Sequence, residues 1–135
     1  MKKKIFLIIP LLLTGCLGEA GKGYITKTCK KNEIINGNNL ETEISIKSKQ
    51  GNIETIIIKE TYEKNNDLES ITYSKKSEQN LFKQTTGATL NIEDNTFTYE
   101  INKKEASELI IKKFNIQDEQ HKQIKYYEDN GYSCN

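Results

Sequence analysis

Two hydrophobic patterns divide this chain. From Ile5 to Leu13 the residues are apolar without a charge, broken only by Pro10. From Tyr24 onward, apolar residues alternate with polar ones or recur at helical spacing. The plainest alternation sets Leu40, Thr42, Ile44 and Ile46 against Glu41, Glu43, Ser45 and Lys47, and predicts a strand with one dry and one wet face. Tyr24 to Ile35 reads as the strand before it. Asn36-Gly37 joins the two, because a type I′ hairpin turn needs positive φ at both central residues. Such a turn sets Cys29 opposite Ile44 on the dry face. Gln50-Gly51-Asn52 marks a second turn, and Ile53 to Tyr62 follows. Its run Ile56, Ile57, Ile58 places apolar groups on both faces, which suits a central strand or one covered by a helix.

The second half changes period. Asn65-Asn66-Asp67 predicts a stop and a helix N-cap. Leu68, Ile71, Leu81 and Phe82 fit one helical face, with a polar gap from Ser74 to Asn80, and Gly87 is placed to end that helix. Leu90 and Ile92 alternate again, Glu93 to Asn95 turns, and Phe97, Tyr99 and Ile101 line a further strand. Asn102 with Glu105 forms an approximate capping box before Ala106, Leu109, Ile110 and Phe114. Asp118 opens a last helix with Ile124 and Tyr127 inward, and Gly131 closes it. This order predicts an α+β fold: an antiparallel sheet of about five strands with two or three helices packed on one face, forming one domain over residues 24–135.

The first fifteen residues belong to a different system. Lys2, Lys3 and Lys4 precede the nine apolar positions, as in an export signal. A run of that length is too short to span a bilayer, which takes about 20 apolar residues. Leu13-Thr14-Gly15-Cys16 then resembles the bacterial lipobox, in which an apolar residue and two small ones precede an obligatory cysteine. The resemblance implies diacylglycerol on Cys16, cleavage before it, and a location on the outward side of the cell membrane. In a host with two membranes the outer one is also open to it. Two acyl chains hold a protein on a membrane where one does so only marginally. The other reading is a plain secretory signal beside a chance cysteine. Residues 16–23 would then be the lipidated cysteine and its tether. Leu17 to Gly23 extends at most about 25 Å, which keeps the domain near the head groups.

Composition narrows the partners. Without the three signal lysines the formal charge falls from +1 to −2, and every basic side chain except His121 is lysine. No net basic field is offered to nucleic acid or anionic lipid, and no arginine fork to phosphate. Besides Cys16, only Cys29 and Cys134 remain. In an exported chain that pair suggests a disulfide, with two free thiols or a burial role for Cys29 as the alternatives. His121 stands among Glu119, Gln120 and Lys122, a solvated setting without a neighbouring nucleophile. The surroundings of Cys29 lack the helix N-terminus or glycine-rich turn that activates a thiol. Asp129-Asn130-Gly131 echoes a calcium loop but lacks its remaining ligands. Lys30-Lys31, Lys75-Lys76, Lys103-Lys104 and Lys112-Lys113 read as solvated faces, with contact of one or two pairs to anionic head groups near the anchor as the alternative, and Tyr126, Tyr127 and Tyr132 as packing residues or a ligand surface. No catalytic or metal-binding set converges, and diacylglycerol is the sole prosthetic group implied.

Several stretches taken together carry a resemblance: the lipobox, "YITKTCKK", "EISIKSKQGNIETIIIKETY" and the ending "IKYYEDNGYSC". Together they resemble the YehR-like family of small bacterial lipoproteins. The family resemblance implies an α+β lipoprotein of uncharacterised role with Cys29 and Cys134 as a matched pair. It supplies no catalytic residue. The functional expectation is therefore a lipid-anchored, non-catalytic module that binds an envelope component or a protein near the membrane. A small hydrolase of cell-wall or peptide material and a small solute-binding lipoprotein are the alternatives.

Overall fold

The Asn36-Gly37 hairpin organises the sheet. In the computed structural model, which describes residues 23–135, β1 (Tyr24–Ile35) and β2 (Asn38–Lys49) pair antiparallel along their whole length. Asn36 and Gly37 hold φ of 52° and 83°, the two positive angles the turn requires. Cys29 faces Ile44 in the resulting register. Gln50 and Gly51 repeat the device at φ of 53° and 84°, so β3 (Asn52–Tyr62) begins directly after them. The expected export signal, with Leu13-Thr14-Gly15 and Cys16, lies outside the described residues.

Helix α1 (Leu68–Phe82) leads from β3 to β4 (Ala88–Glu93) and β5 (Thr96–Asn102). Helices α2 (Glu108–Lys113) and α3 (Gln120–Asp129) follow, and β6 (Ser133–Cys134) ends the chain. The strands form one antiparallel sheet in the order β4-β5-β3-β2-β1-β6. The fold is α+β, with six strands where the hydrophobic pattern gave about five. The added one, β6, pairs only Ser133 and Cys134 with β1, and two residues carry no periodicity to read.

The core forms where the alternating strands present their dry positions. Ile44, Ile46, Ile56, Phe97 and Ile101 are at most 1% exposed, and Phe82, Ile110 and Tyr127 from the helices and Ile116 from the loop before α3 join the same cluster. Each such side chain contributes about 1.5–3 kcal/mol on burial. Ile57 lies on the other face and is 38% exposed, so the isoleucine run reflects the central place of β3 between β5 and β2.

Asp67 stands at the N-cap of α1, as the sequence signal predicts, but its side chain makes no bond to the helix N-terminus. Its carboxylate accepts from Asn38 Nδ2 at 3.1 Å, while Asn65 bonds Asn38 and accepts the Asp67 N–H. Asn102 ends β5 and bonds the Lys104 N–H; Ser107 caps α2 instead, accepting from the Ile110 N–H at 3.4 Å. Glu119, not Asp118, stands before α3. Leu81 is 46% exposed, and the inward stripe of α1 runs through Leu68, Ile71, Lys75, Glu78, Gln79 and Phe82. The polar gap in the hydrophobic pattern is therefore part of the inner face. Gly131 does end α3, since the Tyr132 N–H reaches back to the Tyr127 carbonyl at 3.0 Å.

Candidate functional site: a cleft of tyrosines, lysines and glutamates

The dry face of the sheet does not stay apolar to its hairpin end. Thr42 of β2 sits between Lys31 of β1 and Glu60 of β3, and the next inward row holds Glu33, Leu40 and Tyr62. Above this polar floor α1 contributes Glu78, the end of α2 gives Lys113 and Phe114, and α3 gives Tyr126, Tyr127 and Asn130. Tyr132 closes the side. These groups surround a cleft of about 370 Å³. A roomier hollow of about 550 Å³ lies at the hairpin end near Ile34, Glu41 and Tyr62, but fewer elements converge on it.

Lys75 organises the charged wall. Its ammonium is 2.6 Å from Glu60 Oε1 and donates to the Tyr99 hydroxyl at 2.7 Å. Tyr99 in turn donates to Glu78 Oε1 at 2.7 Å, and Lys113 Nζ lies 3.0 Å from Glu78 Oε2. The same ammonium lies 5.0 Å from the ring centre of Tyr99 and 5.7 Å from that of Phe97. Only 14% of the Lys75 side chain is exposed. Burial by itself would raise the Glu78 pKa, but the bonds from Tyr99 and Lys113 and the charges of Lys113 and Lys75 outweigh it and hold the carboxyl below its ordinary 4.5. Burial, then the Glu60 charge and the bond to Glu78, push Tyr99 far upward, so it remains a neutral donor. Tyr62 is raised to about 12 by burial and by Glu60.

A depressed carboxylate pKa stabilises the fold above the unfolded value, and that contribution is lost as pH falls through the folded value. Wild type is accordingly expected to exceed Glu78→Gln in stability at about pH 7, with the gap closing as pH falls below the ordinary carboxyl value of 4.5. Urea unfolding at a series of pH values measures this, and a gap independent of pH would contradict it.

The opposite wall is aromatic. Tyr126 and Tyr127 meet at a centroid distance of 5.4 Å, and Tyr127 and Tyr132 at 5.2 Å. Lys31 Nζ donates to the Asn130 carbonyl at 2.9 Å and lies 5.3 Å from the Tyr132 ring centre. The Tyr127 hydroxyl is buried and has no hydrogen-bond partner among the described residues. A disulfide joins Cys29, fully buried on the same face one row from Lys31, to Cys134, two residues after Tyr132.

The sequence signals sort unevenly against this geometry. The three tyrosines do come together. The lysine pairs, read as solvated faces, each turn one member inward: Lys31, Lys75 and Lys113 meet the cleft or its network, and Lys103 pairs with Asp118 at 3.1 Å. Lys30 and Lys112 stay outside with 67% and 75% of their side chains exposed. Glu60 and Glu78 gave no separate signal. Their nearest clue is the three-residue spacing of Lys75 and Glu78 on the stripe of Ile71 and Phe82. His121 is exposed, 3.6 Å from Glu119, and has no route to the bonded Cys29. Asp129 pairs with Lys125 and Asn130 bonds the Tyr126 carbonyl, as residues of a helix end. No group of three metal-ligating side chains occurs among the described residues. Comparison with protein-family models, curated proteins and solved structures finds no match to this chain.

Proposed function

We propose that this chain is an exported lipoprotein, held by diacylglycerol on Cys16 at the outward side of a cell membrane, whose domain binds a ligand in the cleft without transforming it. Its helices gather on the sheet face that carries Cys29, Ile44 and Ile56; the alternation of buried and exposed positions along β2 supports that arrangement. Residues 16–23 serve as lipidated cysteine and tether. Membership of the YehR-like family is part of the same proposal, supported by the lipobox, the Cys29 strand and the ending Gly131-Tyr132-Ser133-Cys134.

One observation carries the binding reading. A cleft of ligand size has an aromatic wall facing carboxylates that lysines already neutralise. A glutamate kept ionised into acid is a fixed acceptor for a ligand's hydrogen-bond donors. The hydrolase alternative needs a carboxyl that carries a proton near neutral pH, the reverse of what the partners of Glu78 favour.

Two experiments test the proposal. Wild type is expected in the membrane fraction, with a diacylglyceryl mass on Cys16, and Cys16→Ala in the soluble exported fraction; globomycin should accumulate the uncleaved precursor. An unacylated mature chain would end the anchor reading. For the cleft, a component cross-linked to wild type on intact cells should be lost with Tyr126→Ala/Tyr132→Ala and retained with Tyr73→Ala, an exposed residue of α1. Equal capture by all three would end the cleft reading.

A further inference from the structure

On the lipid-anchor reading the tether joins the domain at one end of the sheet, and charge is distributed unevenly between the two ends. The described chain begins beside Tyr24, the first residue of β1, opposite Lys49 and next to the Gln50-Gly51 turn. That end gathers lysines from four places. Lys27 and Lys47 sit on β1 and β2 within three positions of Tyr24 or its partner Lys49. The Lys103 N–H bonds the Glu54 carbonyl just past the start of β3, and Lys104 follows it. Lys83 borders a hollow with Asn102 and Glu105 at the same end. Acids are present too: Glu54, Glu100, Glu105, Asp118 and Glu119. Asp118 is paired with Lys103 at 3.1 Å, and Glu119 lies 3.6 Å from Lys122. Lysines thus outnumber acids at the tether end.

The hairpin end is the reverse. Glu33, Glu41, Glu63, Asp67, Glu93 and Asp94 gather around the Asn36-Gly37 turn and the neighbouring β4–β5 turn; Lys64 pairs with Asp94 at 2.7 Å and Lys31 with Glu33 at 3.4 Å. The sheet separates the two ends by the length of β1, 12 residues or about 40 Å at about 3.3 Å each. Screening in physiological salt acts over about 8 Å. A charged surface touching the tether end therefore feels the lysines and not the distant acids, although the mature chain has a formal charge of −2.

We propose that the tether end of the domain is a docking surface for anionic phospholipid head groups, oriented so that the β1–β2 hairpin stands away from the bilayer. The inference rests on the lipid-anchor reading and adds an orientation to it. It sets the cleft, which lies in the hairpin half of the sheet at Lys31, Thr42 and Glu60, clear of the head groups and open to the side.

The test uses the mature acylated chain on vesicles of phosphatidylglycerol and phosphatidylcholine, with a spin-labelled head group as quencher. The chain has no tryptophan, so Ile25→Trp near the tether and Ile34→Trp near the hairpin each report one end. Both positions are exposed, at 55% and 71%. Quenching of Ile25→Trp is expected to exceed that of Ile34→Trp by about threefold or more, and to fall toward the level on pure phosphatidylcholine at about 0.5 M salt. Equal quenching at the two ends, or quenching of Ile25→Trp that is indifferent to salt and to phosphatidylglycerol, would overturn the docking surface. Vesicle flotation at the same high salt separates the two ideas. A chain that stays on the vesicles keeps its anchor whatever the quenching shows, and a chain that leaves them has none.

Discussion

Replacing Cys29 and Cys134 together by alanine is expected to lower the unfolding free energy by about 4–5 kcal/mol. The bridge joins positions 105 apart, so it closes almost the whole folded domain into one loop. In the chain-entropy account a loop of that length restricts the unfolded chain by about 4.7 kcal/mol. Domains of this size have about 5–15 kcal/mol in all, so the loss is a large share. Cys29 is fully buried, and alanine there also leaves a small cavity. Reduced wild type, which keeps both sulfur atoms, separates the two contributions: its urea midpoint should lie near that of the double variant and far below that of oxidised wild type. A difference under about 1 kcal/mol between oxidised and reduced wild type would contradict the account. The effect reaches the cleft as well. β6 pairs through only two residues, so without the bond Tyr132 loses one of its ties and keeps its N–H bond to the Tyr127 carbonyl and its ring contact with Tyr127.

Gly87→Ala is expected to cost about 2–5 kcal/mol, from a left-handed backbone and an overlap together. At this position φ is +82°, and an added Cβ would fall 2.4 Å from both the N and Cα of Ala106. Those are backbone atoms of the segment entering α2, and they cannot swing aside as a side-chain tip can. That segment is fixed on both sides: the Ser107 N–H bonds the Thr86 carbonyl, and the Asn102 N–H bonds the Gly87 carbonyl. Gly37→Ala and Gly51→Ala are the controls, since φ is +83° and +84° there with nothing within 4 Å of the added carbon. They should cost only about 1–2 kcal/mol, the left-handed part alone. Thermal unfolding of the three variants measures the contrast, and equal losses would show that the approach to Ala106 is not what requires glycine.

Gly87 also illustrates what a local signal can and cannot say. Its position after an apolar pattern reads as a helix end, yet α1 stops at Phe82. The glycine is needed for a neighbour that arrives nineteen residues later, and local spacing carries no trace of that approach. Asn102 and Glu105 fail as a capping box for a related reason. β5 claims Asn102 through its pairing with Thr55, so the helix waits for Ser107. The hairpins, in contrast, were fully legible. Asn36-Gly37 fixes its own dihedral angles, the turn fixes the register, and the period-two pattern then settles which face Cys29 and Ile44 share.

Half of the candidate site was legible in the same way. Tyr126, Tyr127 and Tyr132 cluster near one helix end, and a helix terminus followed by a short tail brings them together locally. The charged half was not. Lys75 and Glu78 sit in a stretch that looks solvated, because a hydrophobic pattern counts a lysine as outside wherever it stands. They face inward because Glu60, Tyr99 and Lys113, from three other elements, complete their bonds. Burying one of them alone would be costly, and only the assembled set makes the position favourable.

The sequence by itself determined the strands, their turns, their dry faces and the pair of cysteines left to meet, because each depends on neighbours within a turn or on a repeat of two. Tertiary structure decided the sixth strand, the close seat of Gly87, and the inward turn of Lys31, Lys75 and Lys113. Those depend on groups far apart along the chain, whose charges and contacts act on one another only after the fold has brought them within a few ångströms.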